Sequence, residues 1–254
     1  MIKDVIKKVI QNSGYDIRKK GSFDTPPEFP SDFTENDLEI IKKVKPFTLT
    51  SNERIYSLLQ ATKYVIHNDV PGDIVECGVW KGGSMMAVAH TLLKENKSEK
   101  DLHLFDTYEG MTKPTDRDVS FEGKEADNQF EENKKGEDSS DWCFASLDEV
   151  KQNVIKTGYN TEKLHFIKGK VENTLPKYAP KQISLLRLDT DWYESTKHEL
   201  IHLFPKLVSG GVLILDDYGY WEGAKKAVDE YISENKIQIL LNRIDQTGRI
   251  AIKI

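Results

Sequence analysis

This sequence predicts an α/β fold: a mostly parallel, open sheet of the doubly wound type, closed by an antiparallel hairpin. Three features of the chain predict it. Short apolar runs of strand type alternate with longer segments of helical period, as in chained βαβ units. The first run, Asp73–Val79, passes into the glycine-rich turn Gly78-Val79-Trp80-Lys81-Gly82-Gly83-Ser84 and then a helix through Leu93. The last two runs, Ile237–Ile244 and Arg249–Ile254, are linked only by Asp245-Gln246-Thr247-Gly248. A link that short joins antiparallel neighbours, whereas parallel ones need a crossover.

The 254 residues suffice for one large domain with a decorated N-terminus. Residues 1–45 read as a helical extension and linker, and residues 46–254 as the domain itself. Ile2, Val5, Ile6, Val9 and Ile10 recur at helical spacing. That apolar face would pack on the domain or on a sister subunit, so a homodimer is expected; a membrane-surface helix is the alternative. Asp24–Pro30 carries three prolines and reads as an extended linker, and a short helix Glu35–Val44 stops before Pro46. The net charge of -6 speaks against a general nucleic-acid binder. Cys77 and Cys143 stand in unrelated contexts without a CxxC, so neither zinc nor a disulfide framework is implied. No apolar run approaches the ~20 residues of a membrane span. Lys3, Asp4, Lys7 and Lys8 interrupt any signal-peptide core. No membrane insertion is expected, and the cytoplasm is the expected location.

Within the domain, Thr50 and Glu53 have capping-box spacing at the head of a helix whose buried face is Ile55, Leu58, Leu59, Thr62 and Val65. Thr50 and Ser51 are either that cap or part of a ligand pocket. The strand–turn–helix unit has the spacing Glu-x-Gly-x-x-x-Gly from Glu76 and Gly78, not the Gly-x-Gly-x-x-Gly of dinucleotide binders. A carboxylate at Glu76 repels phosphate and suits a cationic amine, such as the ammonium of S-adenosylmethionine. Leu102–Phe105 is the second strand, and Asp106 at its tip is placed to accept two ribose hydroxyls or to cap a helix. From Thr112 to Asp141 apolar periodicity vanishes and acids dominate, which predicts an irregular acidic lid ordered by bound ligands. Ser146 and Glu149 open a helix that Gly158 ends, and Leu164–Lys168 is the third strand. Ile183–Leu188 is the fourth strand, followed by a helix Glu194–Leu207 closed at Ser209-Gly210-Gly211. Val212–Leu215 is the fifth, Trp221–Ser233 the next helix, and the hairpin brings the sheet to seven strands.

Two of these strands end in acids: Asp189 and Asp191 after the fourth, Asp216 and Asp217 after the fifth. Residues just past the carboxyl ends of neighbouring parallel strands share a crevice, and ligands bind there. Four carboxylates cannot crowd together ionised, because like charges raise one another's pKa. A hard divalent cation with oxygen ligands resolves the conflict, Mg²⁺ ahead of Ca²⁺. The alternative is that the aspartates are helix caps or solvated loop ends.

Val75-Glu76-Cys77-Gly78-Val79-Trp80, Leu188-Asp189-Thr190-Asp191-Trp192-Tyr193-Glu194-Ser195-Thr196, Phe47–Arg54, Leu104–Met111 and Leu215–Ala224 together resemble the macrocin O-methyltransferase (TylF-like) family. Those are Mg²⁺- and S-adenosylmethionine-dependent methyltransferases acting on sugar hydroxyls. The similarity runs from about Phe47 to Ile254; residues 1–45 and the acidic segment match poorly. It implies a Rossmann-like class I methyltransferase with a seven-stranded sheet and helices on both faces. It implies S-adenosylmethionine and Mg²⁺ as cofactors and a sugar-containing small molecule or glycan as acceptor. It also implies that Asp189, Asp216 and Asp217 hold the metal and that Asp191 is the general base. Glu76, Gly78, Ser84 and Asp106 match its cofactor-binding motifs, and Thr50 and Ser51 a segment near the methionine end. His198, on the helix beyond the acids, reads as structural.

A sugar hydroxyl has a pKa near that of water, ~16, so the expected work of the site is to deprotonate it against an electrophilic methyl. A metal-dependent methyltransferase of catechols or phenols is the alternative within this chemistry. A nicotinamide-dependent sugar oxidoreductase is disfavoured by the missing glycine fingerprint, and a non-catalytic binding module by the four aspartates.

Overall fold

The computed structural model describes residues 29–254, so the helix expected over Ile2–Ile10 and most of the proline-rich linker lie outside the described residues. Residues 36–254 form one compact unit. It includes nearly all of α1 (Glu35–Val44), which is tied to the rest by Lys63 donating to Asp37 and Lys94 donating to Glu39. Then follow α2 (Asn52–His67), β1 (Asp73–Cys77), α3 (Gly83–Lys94) and β2 (Leu102–Asp106). The middle of the chain holds α4 (Ala126–Glu132), β3 (Lys134–Gly136), β4 (Ser139–Ser140), α5 (Leu147–Ile155), β5 (Leu164–Lys168) and α6 (Val171–Thr174). It closes with β6 (Ile183–Leu188), α7 (Tyr193–Leu203), β7 (Leu207–Leu215), α8 (Glu222–Glu234), β8 (Asn242–Arg243) and β9 (Arg249–Ile252).

Seven strands form one sheet in the order β5-β2-β1-β6-β7-β9-β8. The first five are parallel; β9 is antiparallel to both β7 and β8. Every residue of β6 is buried, as a strand covered on both faces must be. Alternation sorts its side chains. Leu186 and Leu188 join Val75, Cys77, Leu213 and Leu215 against Leu200, Leu203, Val228 and Tyr231 of α7 and α8. On the other face α2 lies against α3, β6 and β7. Strand order reverses between β1 and β6, so the crevice expected in a doubly wound sheet opens above that pair.

Three expectations about elements are corrected. The acidic segment is not irregular throughout: it contains α4, which buries Ala126 and Phe130, and the small β3–β4 hairpin. The helix after β6 stops at Leu203, because Pro205 allows only a 3₁₀ turn over Phe204–Lys206. Ser209-Gly210-Gly211 therefore lies inside β7, where Gly210 N–H donates to Lys253 O and Lys253 N–H to Gly211 O. In the hairpin, β8 keeps two paired residues only. Ile237, Ile239 and Leu241 pack inward from an unpaired edge that leaves Leu240 81% exposed.

Candidate active site

A cavity of about 240 Å³ opens at the carboxyl ends of β1, β2, β6 and β7. Thr50, Gly78, Ser84, Asp106, Asp189, Asp191, Asp216 and Asp217 all line it. Two residues matched to the cofactor motifs do not. Ser51 is the N-cap of α2: it accepts from Arg54 N–H at 3.1 Å and donates to Asp245 at 2.6 Å. The cap is thus Ser51 rather than Thr50. Glu76 is buried beside the cavity, with Oε1 accepting from Arg187 Nη1 at 2.6 Å and Oε2 without a partner. Burial pushes its carboxyl up to about 7, against the pull of Arg187.

The glycine-rich turn is shaped by close approach. Gly78 has φ +81°, and a Cβ there would stand 2.0 Å from the Asp189 carbonyl oxygen. Only glycine lets the chain leaving β1 pass this close to the chain leaving β6. Asp106 ties the turn down from the β2 tip, accepting from Val79 N–H at 2.6 Å, Trp80 N–H at 3.1 Å and Tyr108 N–H at 2.6 Å. Burial nevertheless raises its pKa.

Arg187 is the organising charge. β6 register sets it beside Glu76 of β1, on the α2 face of the sheet. Its guanidinium is 3% exposed and donates to Glu76, to Asp189 Oδ2 at 2.7 Å, to Asp216 Oδ1 at 2.6 Å and to Thr50 Oγ1 at 3.1 Å. Arg54 donates to the other Asp216 oxygen, Oδ2, and its Nε lies 3.0 Å from Asp245 in the hairpin turn. Asp216, expected among the metal ligands, therefore has both carboxylate oxygens committed to arginines.

A different trio is brought together. Asp189, Asp191 and Asp217 each offer an oxygen within 4.8 Å of the other two. Burial holds the Asp189 and Asp217 carboxyls well above the usual range, and neighbouring acids add to it. Asp191 is pushed up to about 7, by burial first. Asp217 Oδ2 is buried without a partner. Three crowded carboxylates with an orphaned oxygen are a donor set of the hard, anionic kind that suits Mg²⁺ or another divalent cation. Asp191 has φ +70°, and two other non-glycine cavity residues, Trp80 and Cys143, are also left-handed at φ +46° and +51°. Such conformations persist only where their surroundings impose them, and they gather at functional sites.

Behind the trio, Glu199 of α7 is fully buried near Thr190 and Cys77, and burial raises its carboxyl well above the usual range. The folded protein keeps a proton there that the unfolded chain gives up above about pH 4.3. Stability contributed at Glu199 is complete below that pH and is lost as pH rises toward the folded value. Glu199→Gln is therefore expected to match the parent at pH 4 and to exceed it increasingly toward pH 8, read as urea midpoints across that range.

Sequence reasoning passed over Arg187 and Arg54. The signal was present: an arginine inside the run Ile183–Leu188 cannot be buried without partners, and acids at neighbouring strand tips are the partners at hand. His198, expected to be structural, does not line the cavity; its ring packs on His202 at 4.4 Å between centroids.

Comparison with known proteins gives concordant matches. The family model of macrocin-O-methyltransferase (TylF) matches residues 5–251. Demethyldecarbamoylnovobiocin O-methyltransferase of Streptomyces niveus is 31% identical over 201 residues, 79% of this chain and 73% of that relative. The 8-demethyl-8-(2,3-dimethoxy-alpha-L-rhamnosyl)-tetracenomycin-C 4'-O-methyltransferase of Streptomyces olivaceus is 29% identical over the same shares of the two chains. Among solved structures, the O-methyltransferase NovP superposes with a TM-score of 0.70 at 29% identity, covering 82% of each chain.

Proposed function

Because the chain belongs to the macrocin-O-methyltransferase (TylF) family of S-adenosylmethionine-dependent O-methyltransferases, we propose that it methylates a hydroxyl of a sugar carried on a small molecule or glycan. A Mg²⁺-dependent reaction is part of the proposal. The observation that carries it is the oxygen trio of Asp189, Asp191 and Asp217 on the wall of the cavity that also holds Thr50, Ser84 and Asp106. The relatives support the acceptor class, since one is named for 4'-O-methylation of a rhamnosyl tetracenomycin.

S-adenosylmethionine supplies an electrophilic methyl on a sulfonium. A divalent cation on Asp189 and Asp217, beside Asp191, would supply Lewis acidity, lowering the pKa of a hydroxyl it holds. Everything else falls to the chain. Asp189 and Asp217 would hold the ion, Asp189 keeping one oxygen on Arg187. Asp191 takes the acceptor proton as general base. Gly78 lets the β6 tip lie against the turn, Thr50 and Ser84 offer hydroxyls, and Asp106 presents a carboxylate at the β2 tip. Met111, Thr112 and Cys143 line the cavity where the 112–141 segment leaves and rejoins the body, so that segment would cover the acceptor.

The test is methyl transfer to a panel of demethyldecarbamoylnovobiocin, rhamnosyl tetracenomycin, free rhamnose, a nucleotide-linked rhamnose and catechol. Chelator-stripped protein is expected to lose about two orders of magnitude in rate on the preferred sugar acceptor and to regain it with Mg²⁺. Equal rates with and without the metal would remove the metal from the mechanism, and catechol as sole acceptor would remove the sugar.

A further inference from the structure

Asp118 is 1% exposed and takes no part in the reaction proposed above. Its place in the fold is specific. The helices that follow the two acidic loops, α7 and α8, have tryptophans as their N-caps, Trp192 and Trp221, and neither makes a side-chain cap. Unpaired N–H groups at a helix start need acceptors from elsewhere. One dipeptide of the 112–141 segment supplies both. Asp118 Oδ1 accepts from Tyr193 N–H at 2.8 Å, and the Val119 carbonyl accepts from Glu222 N–H at 2.9 Å. Asp118 Oδ2 is fixed in turn by Thr115 N–H at 2.7 Å and Thr115 Oγ1 at 2.8 Å. The opening of α8 is built around it, since a Cβ on Gly223 would lie 2.2 Å from Asp118 Oδ1. Trp192, next to Asp191, is held by the same segment through its Nε1, which donates to Thr112 O at 3.1 Å.

We propose that Asp118 is a positioning residue for methyl transfer. It locks the start of α7, so that Asp191, two residues upstream, keeps its left-handed backbone on the cavity wall. A strained φ of +70° has to be over-determined by its neighbours, and the N–H of Tyr193 is where that hold is applied. The segment above the acids is thereby a brace for the base as well as a cover for the acceptor. The inference rests on Asp191 as the base.

Asp118→Ala, Asp118→Asn and Asp191→Asn are compared in the full chain. The readouts are S-adenosylhomocysteine affinity, amide exchange of residues 189–196, and kcat on the acceptor that the panel above selects. Asp118→Ala is expected to lower kcat about tenfold or more while S-adenosylhomocysteine affinity stays within about twofold, with faster exchange at 189–196. Asp118→Asn keeps an oxygen for Tyr193 N–H but sets an amide nitrogen against Thr115 N–H, and is expected to recover part of that rate. Should Asp118→Ala fail to fold, Thr115→Val loosens Asp118 more gently and is read by the same split. Unchanged kcat in Asp118→Ala beside an inactive Asp191→Asn overturns the bracing role alone. A parallel loss of kcat and S-adenosylhomocysteine affinity overturns it too, since that marks general damage. Normal turnover in Asp191→Asn overturns the base assignment, and the brace with it.

Discussion

Asp191→Asn is expected to reduce methyl transfer by about two to four orders of magnitude, the range for losing a positioned general base. The substitution keeps the shape of the side chain and removes its capacity to take a proton. S-adenosylhomocysteine affinity should be nearly unchanged, because the residues proposed to hold the cofactor lie in the loop before α2, at the start of α3 and at the tips of β1 and β2. Isothermal titration and single-turnover rates at saturating acceptor separate the two effects. A variant that still turns over within about threefold of the parent would place the base elsewhere. Folding should survive as well: the change lowers the number of crowded acids, and an amide can still meet the φ +70° that asparagine tolerates.

Arg187→Met is expected to be the most damaging substitution for stability. Arg187 faces Glu76, Asp189 and Asp216 together from a fully buried position. Removing one partner of a buried ion pair costs about 3–5 kcal/mol, because the remaining charge is left without compensation. For a chain of this size that corresponds to a fall of roughly 6–20 °C in thermal midpoint. Scanning calorimetry gives the number directly. Adding Glu76→Gln, which neutralises one of the stranded acids, should recover part of the loss; strict additivity of the two changes would show that they do not share a network.

Much of the frame was legible in the sequence. Ile183–Leu188 and Leu164–Lys168 have the strand bounds that their apolar content and flanking residues indicate: the first is a central strand buried along its whole length, the second an edge strand buried only at Leu164. The convergence of Asp189, Asp191 and Asp217 also followed from strand ends alone. What did not follow is how the acids divide. Which of Asp216 and Asp217 meets Asp189 depends on where Arg187 and Arg54 reach, and both are long side chains whose direction is set by tertiary packing. Thr50 and Ser51 show the same limit: adjacent hydroxyls have equal capping potential, and the one with extended backbone at the helix start takes the role. In the 112–141 segment, α4 is too short to display a period, so local pattern carried no signal of it.

The turn between the last two strands is tied by Asp245 to Ser51 and Arg54, and Arg54 reaches onward to Asp216. A protein engineer looking for a permissive insertion point would choose that loop for its polar composition and its distance along the chain from the acids. Grafting a reporter there would pull on the counter-ion of Asp216 and change the electric field where substrate is processed. Gly123 and Gly158 have open space around them but φ of +78° and +84°, so a side chain for a label would be strained at either.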